Sequence, residues 1–112
     1  MSNVEDKLAG LRVICPKASF LSEAGKEYVF LPSLKITTEG KVIEMDALLR
    51  PGEHSGYKTR LFLAQPLPGK GLGGGWSVHS ICGRTWHTWS WNNVPETLPL
   101  PQMLLEHLWA LR

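Results

Sequence analysis

Hydrophobic and polar residues alternate most clearly between Glu27 and Arg50, and this alternation predicts a β-hairpin. Residues 27–31 are rich in strand-forming side chains, and Leu34 and Ile36 then alternate with polar neighbours. The alternation stops at Glu39-Gly40, which is typical of a tight turn, and resumes directly after it. The central part of the chain is therefore predicted to fold back on itself as two paired strands.

Weaker patterns on either side of this hairpin extend the prediction. Residues 18–22 and 59–65 each have the length and composition of a strand, which gives an antiparallel meander of three to four strands in all. From Pro66 to about Thr85 the prolines and glycines interrupt any period, so this segment is predicted to be a long irregular loop.

Helical spacing occurs only near the two ends of the chain. A short N-terminal helix is predicted after Ser2, because apolar residues recur at Val4, Leu8 and Leu11. Residues 99–112 predict a second helix, whose apolar stripe contains Leu104, Leu108 and Leu111. We expect Trp109 to anchor this helix to the sheet and His107 to lie at the surface.

These elements predict an α+β fold in which a C-terminal helix packs on an antiparallel sheet, in two layers. The 112 residues support one domain over 1–112. No apolar run has the roughly 20 residues that a transmembrane helix needs. The polar start does not resemble a secretory signal, and two cysteines suit a reducing compartment, so we expect a cytoplasmic protein with no membrane partner.

Charge and tryptophan content narrow the search for a site. Twelve Lys and Arg residues against ten Asp and Glu give a net charge of only +2, which argues against a nucleic-acid partner. All five tryptophans lie at or beyond Trp76, so tryptophan is confined to the last third of the chain. A Trp-rich surface on which single-stranded bases stack is a third alternative for the function.

Two familiar site types are not supported by their context. The segment Gly69–Gly74 matches G-x-G-x-x-G, but no helix-forming sequence follows it, as a phosphate site requires. His79, Cys82 and His87 suggest no fourth zinc ligand and have no known zinc spacing. We therefore expect neither a metal nor a cofactor.

Cys82 is the best candidate for a nucleophile. It lies between His79 and the pair Gly83-Arg84, after the glycine-rich segment. A partly exposed cysteine near positive charge forms a thiolate and attacks acyl groups. Cys15, beside Ile14, has instead the setting of a buried structural cysteine.

The residues after Cys82 resemble a known family. The segment 83–90, Gly-Arg-Thr-Trp-His-Thr-Trp-Ser, resembles the G-R-x-W-x-x-W-S block of a small bacterial family in the ubiquitin-conjugating-enzyme (UBC) superfamily. Residues 45–52 and 56–62 are similar to that family's D-[LA]-L-[VIL]-x-x-P strand and the segment that follows it. The C-terminal helix resembles the one that follows the active-site loop, so the resemblance covers about residues 27–112 and implies a UBC-like fold.

The resemblance implies a function in protein conjugation. Such a protein accepts a bacterial ubiquitin-like modifier from a ThiF-type activating enzyme as a cysteine thioester and transfers it to an amine. A JAB-type metalloprotease is expected to be encoded nearby. Cys82 would carry the thioester, with His79 as a further catalytic residue. The family commonly has a basic residue and His after W-S, where this chain has Trp91-Asn92, so Asn92 departs from the pattern and is, like Arg84, a candidate catalytic hydrogen-bond donor. Binding or support of the loop is assigned to Arg84, Trp86, His87 and Trp89.

The sequence also departs from the superfamily at this site. The H-P-N tripeptide that precedes the cysteine in the superfamily is replaced by His79-Ser80-Ile81, so its Asn, which is assigned the oxyanion role, is missing. An alternative follows from this departure: an inactive module of the same fold that binds the modifier or the activating enzyme. This alternative predicts that Cys82 is buried and that its mutation leaves binding of the modifier unchanged.

Overall fold

The structure is a computed structural model that describes residues 3–53, 56–65, 67, 76–89, 94–95 and 97–109. Its elements, in chain order, are α1 (Asn3–Ile14), β1 (Ser19–Glu23), β2 (Lys26–Thr38), β3 (Lys41–Arg50), β4 (Arg60–Leu63), β5 (Trp76–Ile81), β6 (Arg84–Trp89) and α2 (Leu100–Trp109). The six strands form one antiparallel sheet in the order β1-β2-β3-β4-β6-β5.

The predicted fold class is wrong. A two-layer UBC-like α+β fold was expected to have a meander of three to four strands, whereas the described chain is mostly a six-stranded antiparallel sheet with two short helices. The difference arises at β5 and β6, since the segment up to Thr85 was predicted to be irregular. β5 contains Trp, Val and Ile and β6 contains Trp and Thr, all of which favour extended chain, and a two-residue turn joins the strands.

Three hairpins are closed by the same kind of turn. Each consists of one residue and a following glycine, both with positive φ: Ala24-Gly25, Glu39-Gly40 and Cys82-Gly83. Positive φ at both positions gives the turn the twist of the strands that it connects. The hairpin predicted around Glu39-Gly40 is confirmed, with Thr38 paired to Lys41.

The main hydrophobic core lies between the sheet and both helices. Leu11 of α1 and Leu104 of α2 are fully buried there with residues of β2, β3 and β4. The two helices approach closely at Gly10, because a Cβ atom at this position would be 2.7 Å from the Pro101 side chain. The N-terminal and C-terminal helices of the sequence prediction are thus both present and share this core.

A second core covers the opposite face of the sheet. It contains Tyr28, Leu48, Phe62, Ile81 and Trp86, all of which are buried although no helix residue belongs to this cluster. The rings of Phe30 in β2 and Trp86 in β6 are 6.4 Å apart, although two strands separate β2 from β6. Strands in a flat sheet are about 4.8 Å apart, so this sheet must curl around its second core.

The residue contacts of α2 differ from those predicted. His107 is 1% exposed, and its Nε2 lies 2.8 Å from the hydroxyl of Thr59, so the predicted surface position is wrong. Trp109, which was expected to anchor the helix, is instead 66% exposed. Leu100, Met103, Leu104 and His107 are the buried residues of this helix.

No helix in the described part of the chain is long and apolar enough to cross a membrane.

Candidate functional site

Cys82 lies at the tip of the hairpin formed by β5 and β6. Its side chain is exposed, and its φ of 52° is in the left-handed region. Ala24 and Glu39 have nearly the same φ at the matching position of their turns. The conformation of Cys82 is therefore explained by the hairpin geometry and does not by itself mark a catalytic residue.

The surroundings of Cys82 are acidic and polar. The backbone N–H of Cys82 donates a hydrogen bond of 2.8 Å to Oε2 of Glu23, at the end of β1. The thiol sulfur lies 3.9 Å from the carbonyl oxygen of Ser22. The Glu23 carboxylate at this amide opposes the negative charge of the oxyanion that forms when a thioester is attacked. It also occupies the amide that an oxyanion would otherwise use.

His79 is held within the second face of the sheet. Its ring packs edge-to-face on Phe62 with centroids 5.6 Å apart, and its Nε2 is 3.4 Å from the hydroxyl of Ser77. Burial lowers the pKa of His79, and the positive charge of Arg60 lowers it further. The neutral His79 ring therefore packs on Phe62 as part of the second core.

Arg84 belongs to a polar edge of the second core. Its guanidinium forms an ion pair of 2.9 Å with Asp46 and lies over the ring of Trp86, 4.5 Å from the centroid. Asp46 also accepts the N–H of Ser33, and this bond, with Arg84, holds the pKa of Asp46 below its usual value. Arg84 therefore fixes β6 against β3 and is already paired.

The two tryptophans of the block lie on opposite faces of the sheet. Trp86 is in the second core, where its indole N–H donates to the carbonyl of Ile81. Trp89 is in the main core, 5.3 Å from Trp76 and 6.3 Å from His107 between ring centroids. Residues three apart in a strand point to opposite sides, so these two rings cannot support one loop around Cys82.

The described site residues lie in different surroundings, with Cys82 at a hairpin tip, His79 and Trp86 on the second face and Trp89 in the main core. His87 is half-buried and pairs with Leu63 of β4 and Val78 of β5, away from the face that holds His79. Asn92 and the glycine segment 69–74 lie outside the described residues. Within the described ranges, no three His, Cys, Asp or Glu side chains are placed to hold a metal ion.

The sequence pattern does not predict the residues that contact Cys82 and Arg84. Glu23 contacts Cys82 across 59 positions of sequence, and Asp46 contacts Arg84 across 38. Nothing in the local pattern indicates either contact, because both depend on the curl of the sheet. Comparisons of the chain with protein-family models, with curated proteins and with solved structures gave no match.

Proposed function

We propose that this chain is a binding module of a ubiquitin-like conjugation system and carries no thioester of its own. The observation that supports this most is the hydrogen bond from the Cys82 amide to the Glu23 carboxylate. It places negative charge where thioester chemistry needs positive charge or hydrogen-bond donors. The resemblance of the block at 83–90 supplies the expected partner, which is a ubiquitin-like modifier activated by a ThiF-type enzyme.

The outer edge of β5 is the surface that we propose for this partner. β5 is the last strand of the sheet, and no described strand pairs with its outer side. In a hairpin with a two-residue turn, Ile81 and Arg84 form a hydrogen-bonded pair, so the backbone groups of Val78 and Ser80 point outward. The side chain of Val78 is also 61% exposed. An extended C-terminal tail, such as the Gly-Gly tail of a ubiquitin-like protein, pairs with such an edge as an added strand.

One observation favours the second candidate, a conjugating transferase that uses Cys82. The thiol is exposed, so a bulky acyl donor has access to it. A transferase needs attack by the Cys82 thiolate on the activated modifier, with formation of one thioester as another breaks. The two candidates therefore differ in whether a covalent adduct forms on this residue.

To test this, the chain is mixed with ATP, a ThiF-type activating enzyme and the ubiquitin-like protein that this enzyme activates. The products are then separated by non-reducing electrophoresis. We expect a thioester on the activating enzyme, which shows that the modifier is activated, and no reductant-sensitive adduct on this chain. Binding of the modifier should be unchanged within about twofold by Cys82→Ala.

Cys15→Ala is the matched control, because Cys15 is the other cysteine and is 2% exposed. An adduct that forms on the wild type and on Cys15→Ala but not on Cys82→Ala would overturn the proposal and establish the transferase.

A further inference from the structure

Arg60 is a buried cation in an unusual position. It is the first residue of β4 and is only 4% exposed. It pairs across the sheet with Arg50 of β3, so two like charges lie directly opposite each other on the second face. Like charges in that position repel unless each has a partner.

The two arginines differ in what they contact. Arg50 donates hydrogen bonds to the carbonyl of Glu27 at 2.9 Å and to that of Glu53 at 3.2 Å. Arg60 instead lies over the ring of Tyr57, 4.0 Å from its centroid. The Nε atom of Arg60 is buried and has no hydrogen-bond partner.

No described carboxylate compensates the charge of Arg60. The ion pair of Arg84 with Asp46 does not involve Arg60. Burial lowers the pKa of Arg60, and Tyr57 is the residue that acts against this. A buried charge without a counter-ion destabilises a fold, so this arrangement is incomplete unless an anion completes it.

We infer that Arg60 and Tyr57 form a binding site for an oxyanion, either a carboxylate or a phosphate. Tyr57 holds the guanidinium plane in one orientation, which is the geometry that binds two oxygens of such a group at once. Arg50 and His79 lie on the same face and contribute no negative charge that would repel an anion. This site uses neither Cys82 nor the edge of β5, so it stands independently of the proposed function.

The direct test is an NMR titration of the wild-type chain with inorganic phosphate and, separately, with acetate. The ¹⁵N–¹H signal of Arg60 Nε reports on the site without any mutation. We expect it to shift and saturate with one or both ions, and the ion that saturates at lower concentration identifies the class of ligand. Sodium chloride at equal ionic strength controls for screening. An Arg60 signal that follows ionic strength alone would overturn the inference.

A thermal-unfolding series gives the matched second readout. At about tenfold its Kd, the effective ion should raise the Tm of the wild type by about 5 °C. Arg60→Met should lose this increase and, in anion-free buffer, should have a Tm equal to or above that of the wild type. Lys41→Met, which removes an exposed cation, should keep the increase. If Arg60→Met is strongly destabilised in anion-free buffer, Arg60 is a structural residue and the inference is wrong.

Discussion

Replacing Trp86 with alanine is expected to lower the free energy of unfolding by about 3 to 5 kcal/mol. Trp86 is 1% exposed and fills the second core, where no helix helps to cover the sheet. Its ring contacts Phe30 edge-to-face and lies under the guanidinium of Arg84. Removing the indole would leave a large cavity and would also remove the hydrogen bond to the carbonyl of Ile81. Chemical denaturation followed by circular dichroism measures the loss.

Trp109→Ala is the matched control for this prediction. Both changes remove an indole, but Trp109 is 66% exposed, so its loss should lower the free energy of unfolding by less than about 1 kcal/mol. Equal losses for the two variants would contradict the assignment of Trp86 to a core and of Trp109 to the surface.

Lowering the pH from 7 to 4 should cost about 3 kcal/mol of stability through His107 alone. Burial lowers the pKa of His107 from 6.5 to about 4 in the folded chain. Between these two values the unfolded chain binds a proton at His107 and the folded chain does not. Stability is therefore fully present above pH 6.5 and is lost progressively as the pH falls to about 4.

The hydrogen bonds around His107 explain why its neutral form is preferred. The hydroxyl of Thr59 donates its single proton to the carbonyl of Val94, so it can only accept from Nε2 of His107. Nε2 then carries the hydrogen of the neutral ring, and Nδ1 is buried without a partner. A proton on Nδ1 would place an unpaired charge in the main core.

His107→Gln tests this assignment, because a glutamine amide can still donate to Thr59. Between pH 6.5 and pH 4 the free energy of unfolding should fall in both proteins. The fall should be about 3 kcal/mol smaller in His107→Gln than in the wild type. Gln102→Ala, at an exposed and non-titrating position of the same helix, should keep the wild-type slope. Parallel pH curves for the wild type and His107→Gln would show that His107 is not the group responsible.

The elements with strong local patterns could be predicted from the sequence. The β2–β3 hairpin alternates on both sides of Glu39-Gly40, and α2 has an apolar stripe at helical spacing, so local preference and final structure agree. The β5–β6 hairpin has the same turn chemistry at Cys82-Gly83. It was missed because the preceding glycines and prolines suggested a loop, and because the tryptophans were interpreted as supports for it.

The candidate site could not be predicted to the same extent. Cys82 is exposed, as expected for a nucleophile and contrary to the burial that the inactive alternative predicts. Its contact with Glu23 depends on two distant strands that meet when the sheet curls. The buried positions of Arg60 and His107 have the same origin, because a charged or polar residue in a sequence gives no sign of which strand or helix will cover it.

The most direct test of whether the edge of β5 binds the modifier's tail compares two variants, Val78→Pro and Val78→Thr. Calorimetry measures the affinity of each for the ubiquitin-like modifier. Proline removes the outward backbone N–H of residue 78. Threonine keeps this N–H and has a side chain of similar shape to valine. We predict that Val78→Pro binds about tenfold more weakly than Val78→Thr, and that Cys82→Ala binds like the wild type. Equal affinity of the two Val78 variants, with binding lost in Cys82→Ala, would contradict a non-catalytic module that binds at this edge.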